Sequence, residues 1–185
     1  MAISSTLAAP HESLALAVVV MGVSGSGKTV VGRRLAAALG ADFIDGDDLH
    51  TDAARAKMSS GQPLSDEDRG PWLDRIAAAL RDGLSRNAAT IVACSALRRI
   101  YRERLRAGVG RGLRFVYLSA NRELMRARVA ARRDHFMPAS LVDSQFATLE
   151  APDGEPDVVV APADADLDAE IPRLAAELKG SRPSS

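Results

Sequence analysis

Gly22-Val23-Ser24-Gly25-Ser26-Gly27-Lys28-Thr29 has the spacing G-x-x-x-x-G-K-T, in which a glycine-rich turn, a lysine and a hydroxyl residue combine to hold phosphate. Before it, Leu16 to Met21 is an unbroken apolar run, as expected of a strand buried on both faces. After it, Val31, Leu35, Ala38 and Leu39 recur at helical spacing, and Gly40 stands where a C-terminal cap is expected. Strand, glycine loop and helix form the context this motif requires. The glycines let the backbone turn several N–H groups into one concavity, and the helix behind adds about half a positive charge at its N-terminus. Lys28 has the reach for the β- and γ-phosphates, and the Thr29 hydroxyl suits Mg²⁺. The loop implies a bound nucleotide; it does not say which reaction follows.

Outward from the loop, apolar β-branched runs alternate with helical patterns. Ala41 to Asp45 reads as a second strand, Ala89 to Ala93 as a third, Leu113 to Leu118 as a fourth and Pro156 to Val160 as a fifth. Between them, Thr51 to Ser60 reads as one or two short helices. Ser65 caps a longer helix, with Asp68 three residues on, Pro71 early, and Trp72, Ile76, Ala79, Leu80 and Leu84 as its apolar stripe. Further helices are expected over Arg98–Arg106, Asn121–Arg133, about Leu141 to Phe146, and about Asp168 to Leu178. Such alternation predicts an α/β fold, a five-stranded parallel sheet with helices on both faces. Ligands bind outside the carboxyl ends of strands in such sheets, so the P-loop, Asp45 with Asp47, and Cys94-Ser95 should open on one crevice.

At 185 residues the chain is most simply one domain, expected over 14–179 between a loose extension at 1–13 and a mobile tail at 180–185. Its 24 basic and 24 acidic residues cancel, so nothing global recruits nucleic acid or an anionic membrane. No apolar run is long enough to span a bilayer, and no secretory signal is expected. The lone cysteine, Cys94, fits a reducing, cytoplasmic setting.

Asp45-Gly46-Asp47-Asp48 would repel polyphosphate unless a cation intervened. Mg²⁺ suits the place, with one carboxylate holding the metal's waters and another accepting a proton from a substrate hydroxyl. In the arginine-rich helix, Met125 and Val129 mark the buried stripe; Arg128 and Arg132 lie on one flank, Arg122, Arg126 and Arg133 on the other. Their partners are either a nucleotide's phosphates or surface acids. The basic stretch Arg98 to Arg104, with interleaved acids, reads as a solvated face rather than a nucleic-acid patch. Strand three ends in Cys-Ser, not the Asp of motor ATPases. A compact small-molecule phosphotransferase fits these features.

The chain resembles the gluconokinases of the short P-loop type. The likeness rests on M-G-V-S-G-S-G-K-T at Met21 to Thr29, D-G-D-D-L-H at Asp45 to His50, K-M at Lys57-Met58 and G-Q-P-L-S-D-E-D-R-G-P-W-L at Gly61 to Leu73. Further on it rests on C-S-A-L-R-R-I-Y-R at Cys94 to Arg102, R-x-x-x-R-x-x-H-F at Arg128 to Phe136 and S-Q-F-A-T-L-E at Ser144 to Glu150. The resemblance implies a P-loop kinase fold with strand order 2-3-1-4-5 and a small helical lid at about 121–147. It implies ATP-dependent phosphorylation of D-gluconate with Mg²⁺, often in a homodimer. By similarity to small P-loop kinases, Asp45 and Thr29 would lie at the metal, and Asp47 would take the hydroxyl proton. Lys28, Arg128 and Arg132 would act on the phosphates, the two arginines from the lid. His50, Lys57, Ser95 and Arg98 would line the gluconate side with Asp47, Arg98 gripping the carboxylate. Three positions depart from the family pattern: Thr51 in place of Pro, Ala54 or Arg55 where an Asn commonly stands before K-M, and Asp134 in place of Gly.

Overall fold

In the computed structural model, which describes residues 15–60, 62–131 and 139–180, five strands form one parallel sheet. They are β1 (Leu16–Met21), β2 (Asp42–Asp45), β3 (Ala89–Ala93), β4 (Leu113–Ser119) and β5 (Val158–Pro162), in the order β2-β3-β1-β4-β5. The central β1 pairs with β3 on one side and β4 on the other. Sheet and order are those expected. The helices are α1 (Lys28–Leu39), α2 (Asp52–Ser59), α3 (Asp66–Ser85), α4 (Arg99–Val109), α5 (Arg122–Ala130), α6 (Ala139–Thr148) and α7 (Leu167–Gly180), with a 3-10 turn at Gly46–Leu49 after β2.

The alternating side chains of β1 explain why it has no polar residue. Ala17, Val19 and Met21 enter a core built with α3 and α4, including Trp72, Ile76, Leu80 and Leu105. Leu16, Val18 and Val20 enter the opposite core, with Val31 and Leu35 of α1 and Ile171 and Leu174 of α7. A third, smaller cluster caps the carboxyl end of the sheet: Val23 and Leu97 meet Met125 and Val129 of α5 and Val142 of α6. Burying each large aliphatic side chain contributes about 1.5–3 kcal/mol, so all three clusters hold their elements firmly. The Met125 and Val129 stripe faces inward as expected.

The inward face of α1 differs from the expected one. Val31, Gly32, Leu35 and Ala36 are buried, whereas Ala38 is exposed and Leu39 half-buried. The reason is Gly32: a Cβ there would stand 2.5 Å from the Phe43 ring, so the helix turns its smallest residue to β2. Gly40 caps α1 in the left-handed region, φ 63°, its N–H donating to Ala36 O. Ser65 and Asp68 form the expected reciprocal cap on α3. Among the described residues no helix is long and apolar enough to cross a membrane.

Candidate active site

The glycine loop turns out of β1 directly into α1. Gly22, Gly25 and Gly27 have φ of 145°, 85° and 94°, values that penalise any residue with a Cβ. At Gly22 a Cβ would also meet Ser26 Oγ at 2.9 Å and Leu118 O at 3.0 Å. Gly25 rests on α5, where the added atom would lie 3.1 Å from Val129 Cγ2. The Lys28 ammonium donates to Val23 O across the loop at 3.0 Å, and Ser24 N–H donates to Gln145 Oε1 of α6 at 2.6 Å.

Asp45, at the end of β2, joins this loop to the acidic turn. Its Oδ2 accepts from Thr29 Oγ1 at 3.2 Å and its Oδ1 from Asp47 N–H at 3.2 Å. Gly46 allows this approach, since a Cβ there would stand 2.4 Å from Ala93 O of β3. The Asp47 side chain then projects into solvent, 86% exposed. The donor set suits Mg²⁺: a hydroxyl and one carboxylate, side by side, leave most of an octahedral shell to water and phosphate. Among the described residues no cluster of three or more His, Cys, Asp or Glu is arranged as a protein-only metal cage.

His50 is buried rather than displayed. Its ring stacks on Trp72 with centroids 4.3 Å apart and planes 13° apart, and Nε2 faces Asp47 Oδ1 at 4.0 Å. Burial lowers its pKa, outweighing the nearby Asp47 carboxylate, so the imidazole is neutral at pH 7. Trp72 Nε1 donates to Gly46 O at 2.6 Å, and Arg75 and Arg55 donate to the carbonyls of Leu49, His50 and Asp48. The acidic turn is therefore fixed from α2 and α3. Two of the departures from the family pattern have structural work here. Thr51 Oγ1 accepts from Ala54 N–H at 3.1 Å, capping α2, and Ala54 is buried.

The first turn of α3 holds both cations expected on the acceptor side. Lys57 Nζ lies 2.5 Å from Asp68 Oδ2, and this bond, then those from Ser65, brings the Asp68 pKa down to about 2. Arg98 and the Tyr101 hydroxyl both donate to Asp66, with Arg69 Nη1 3.8 Å away. Asp66 falls inside the Gly61–Leu73 stretch without a role of its own in the sequence, because its partners Arg98 and Tyr101 lie 32 and 35 residues away.

Arg98 ends a turn, Cys94 to Leu97, that bends back over the P-loop. Ala96 adopts φ 43°, a conformation costing about 1–2 kcal/mol without glycine, and Gly22 N–H donates to Ser95 O at 3.3 Å. Arg102 holds the turn from beneath, donating to Ala96 O at 3.2 Å and Leu97 O at 3.3 Å. Its guanidinium is fully buried and pairs with Glu155 through Nε, 3.0 and 3.1 Å, and Nη2, 2.5 Å. Arg106 binds the same carboxylate and Asp157. The expected solvated face thus has a buried ionic core. Arg99 and Arg104 do face solvent, paired with Glu103 and Asp74. Burial removes the Cys94 thiol from acid–base work, pushing its pKa to about 12.

On α5, Arg126 pairs with Asp143 of α6 and Arg122 lies over Phe146, 5.3 Å from the ring centroid. Arg128 Nη1 donates to Ala163 O beyond β5 at 2.9 Å. Arg132, Arg133, Asp134, His135 and Phe136, with the terminal segments 1–13 and 181–185, lie outside the described residues.

The glycine loop, the Thr29–Asp45 pair and the exposed Asp47 carboxylate thus stand together at the carboxyl ends of the strands. Residues 18–152 match the family model described as an AAA domain. The chain is 46% identical over 142 residues to the thermosensitive gluconokinase of Escherichia coli K12, covering 77% of this chain and 75% of that one. It is 48% identical over 144 residues to a gluconokinase of Gluconobacter oxydans, covering 77% and 80%. The chain belongs to the gluconokinase family. The crystal structure of a gluconokinase from Sinorhizobium meliloti superposes with a TM-score of 0.75 at 42% identity, over 91% of this chain and 99% of that one.

Proposed function

We infer that the chain phosphorylates D-gluconate with ATP, giving 6-phospho-D-gluconate and ADP by direct in-line transfer. The observation that carries this reading is the meeting of the P-loop, the Thr29–Asp45 pair and the exposed Asp47 at the strand ends, in a chain of this family.

N–H groups of the glycine loop cradle the phosphates, those of Gly22 and Ser24 being already engaged by Ser95 O and Gln145 Oε1, and Lys28 neutralises charge gathering on the transferring group. Thr29 and Asp45 would hold Mg²⁺, which would supply positive charge against the phosphates. Asp47 receives the proton of the gluconate terminal hydroxyl as its oxygen bonds to phosphorus and the bond to the ADP oxygen breaks. Neutral His50, behind Asp47, holds the carboxylate's side of the turn. Arg98 and Lys57 supply cationic donors for the acceptor carboxylate, with Ser95 beside them. Their pairing with Asp66 and Asp68 keeps them ordered before the substrate arrives, which lowers the entropy cost of binding. Arg128 and Arg132 would act as cations on the ATP phosphates when a lid closes and excludes water. The second reading, a kinase for another small acid such as shikimate, has no comparable set of substrate-side motifs.

The test is ADP release with gluconate, glucose, shikimate and related sugar acids at equal concentration. Gluconate should be strongly preferred, because a buried polar site rejects analogues that leave its groups unpaired, by up to ~10⁴–10⁵. Faster turnover of glucose or shikimate overturns the acceptor assignment.

A further inference from the structure

The stretch Ser144 to Glu150 takes no part in the chemistry just described, yet it touches both halves of the site. At one end Gln145 Oε1 accepts from Ser24 N–H at 2.6 Å. Ser24 shares a peptide unit with Val23, whose carbonyl holds the Lys28 ammonium at 3.0 Å, so Gln145 and Lys28 grip opposite sides of the same rim of the phosphate loop. At the other end Glu150 is bound three ways to the acceptor turn. Its N–H donates to Leu97 O at 2.9 Å, its Oε2 accepts from Arg99 N–H at 2.5 Å, and its Oε1 lies 3.7 Å from Arg98 Nε. Between these anchors the chain is stiff: Leu149 N–H donates to Gln145 O at 2.9 Å, Leu149 packs on the cores on both sides, and Val142, one turn earlier, is fully buried.

We propose that Gln145 and Glu150 are positioning residues that set the register between phosphoryl donor and acceptor. Gln145 fixes the rim of the phosphate loop and Glu150 fixes the turn that carries Arg98, so the helix end between them acts as a short rigid strut. The Gln145 amide oxygen is identified by its partner, since the Ser24 N–H must face an acceptor. The Gln145 end of the strut contributes little to nucleotide affinity, while the Glu150 end also steadies Arg98 for gluconate. The strut matters when both ligands are bound, because a displacement of about 1 Å between reacting groups can cost roughly 10²-fold in rate.

This rests on the kinase reading above, and turnover of gluconate by the parent chain tests that reading first; the variants test the strut. Gln145→Met keeps the volume and removes the bond to Ser24; Glu150→Ala removes the grip on Arg98 and Arg99. Each is measured for kcat, KM for gluconate, Kd for ADP and Tm, alone and combined, with Gln145→Ala as a second probe of the same bond. Expected is a kcat loss of about 10- to 100-fold in Gln145→Met, with the ADP Kd within about threefold of the parent. Glu150→Ala should lose kcat similarly, and the double variant should be little worse than the poorer single, because breaking either end frees the same strut. Three results overturn the proposal: kcat within twofold of the parent in both Gln145 variants, losses that multiply in the double variant, or a fall in ADP affinity that matches the fall in kcat. The last would make Gln145 a plain structural support of the loop.

Discussion

Replacing Arg102 by Met isolates the buried ionic centre beneath the acceptor turn. Arg102 is fully buried and Glu155 has only 11% of its side chain exposed, so the substitution leaves a carboxylate in a poorly solvated place with Arg106 as its main remaining partner. Removing one member of a buried pair costs about 3–5 kcal/mol. The bond from Arg102, ahead of that from Arg106, lowers the Glu155 pKa from 4.5 to about 2, about 3 kcal/mol for the two arginines together, of which the Arg102 part is lost. For a chain of this size the expected fall in Tm is about 6–12 °C. Because the folded pKa lies below the unfolded one, this stability is complete above pH 4.5 and is lost as pH falls toward 2. The assay is thermal and urea unfolding at pH 7 and through pH 4.5–2.5. The parent should lose stability steeply over that interval and Arg102→Met much less so. Adding Glu155→Gln should recover part of the loss, since the uncompensated charge goes with it. The Met variant should also raise the KM for gluconate, because Ala96 and Leu97 lose the donor that holds their carbonyls. A loss below about 1 kcal/mol, or an unchanged acid profile, refutes the reasoning.

Lys28→Met should keep the fold and lower turnover by at least ~10²-fold; a folded variant with near-normal kcat contradicts the phosphate role. Asp47→Asn should lower kcat by roughly 10²–10⁴-fold with little change in ATP affinity, read by steady-state kinetics and nucleotide titration; the opposite pattern would place Asp47 on the nucleotide instead. Gly46→Ala drives a methyl onto Ala93 O, so it should cost about 1–3 kcal/mol or more and reduce turnover by displacing Asp45 and Asp47. Unchanged unfolding and kinetics would show that the turn is looser than its contacts imply. Arg98→Ala should raise the KM for gluconate far more than that for ATP, and equal effects on both would remove it from the acceptor side.

The strands along the chain and the place of the phosphate loop follow from local signals, whereas the order of the strands in the sheet comes only with the family resemblance. An apolar run between glycines has few conformations open to it, and β1, α1 and the cap at Gly40 are set by residues within a few positions of one another. The capping box of α3 and the carboxylates after β2 are legible for the same reason, and the dense family motifs add the chemistry. Other features depend on partners far along the chain. Ser24 meets Gln145 across 121 residues, Arg102 meets Glu155 across 53, and Arg98 meets Asp66 across 32. No periodicity encodes such a meeting, so an arginine bound for full burial reads like its solvated neighbours until α4 packs. His50 shows the same limit. Its spacing from Asp47 is local, but its lowered pKa comes from burial, completed when α3 lays the Trp72 ring against it. Sequence determines what each segment can form, through sterics and hydrophobic period. Which charges lose their water, and hence which act, is decided only when the sheet brings the helices together.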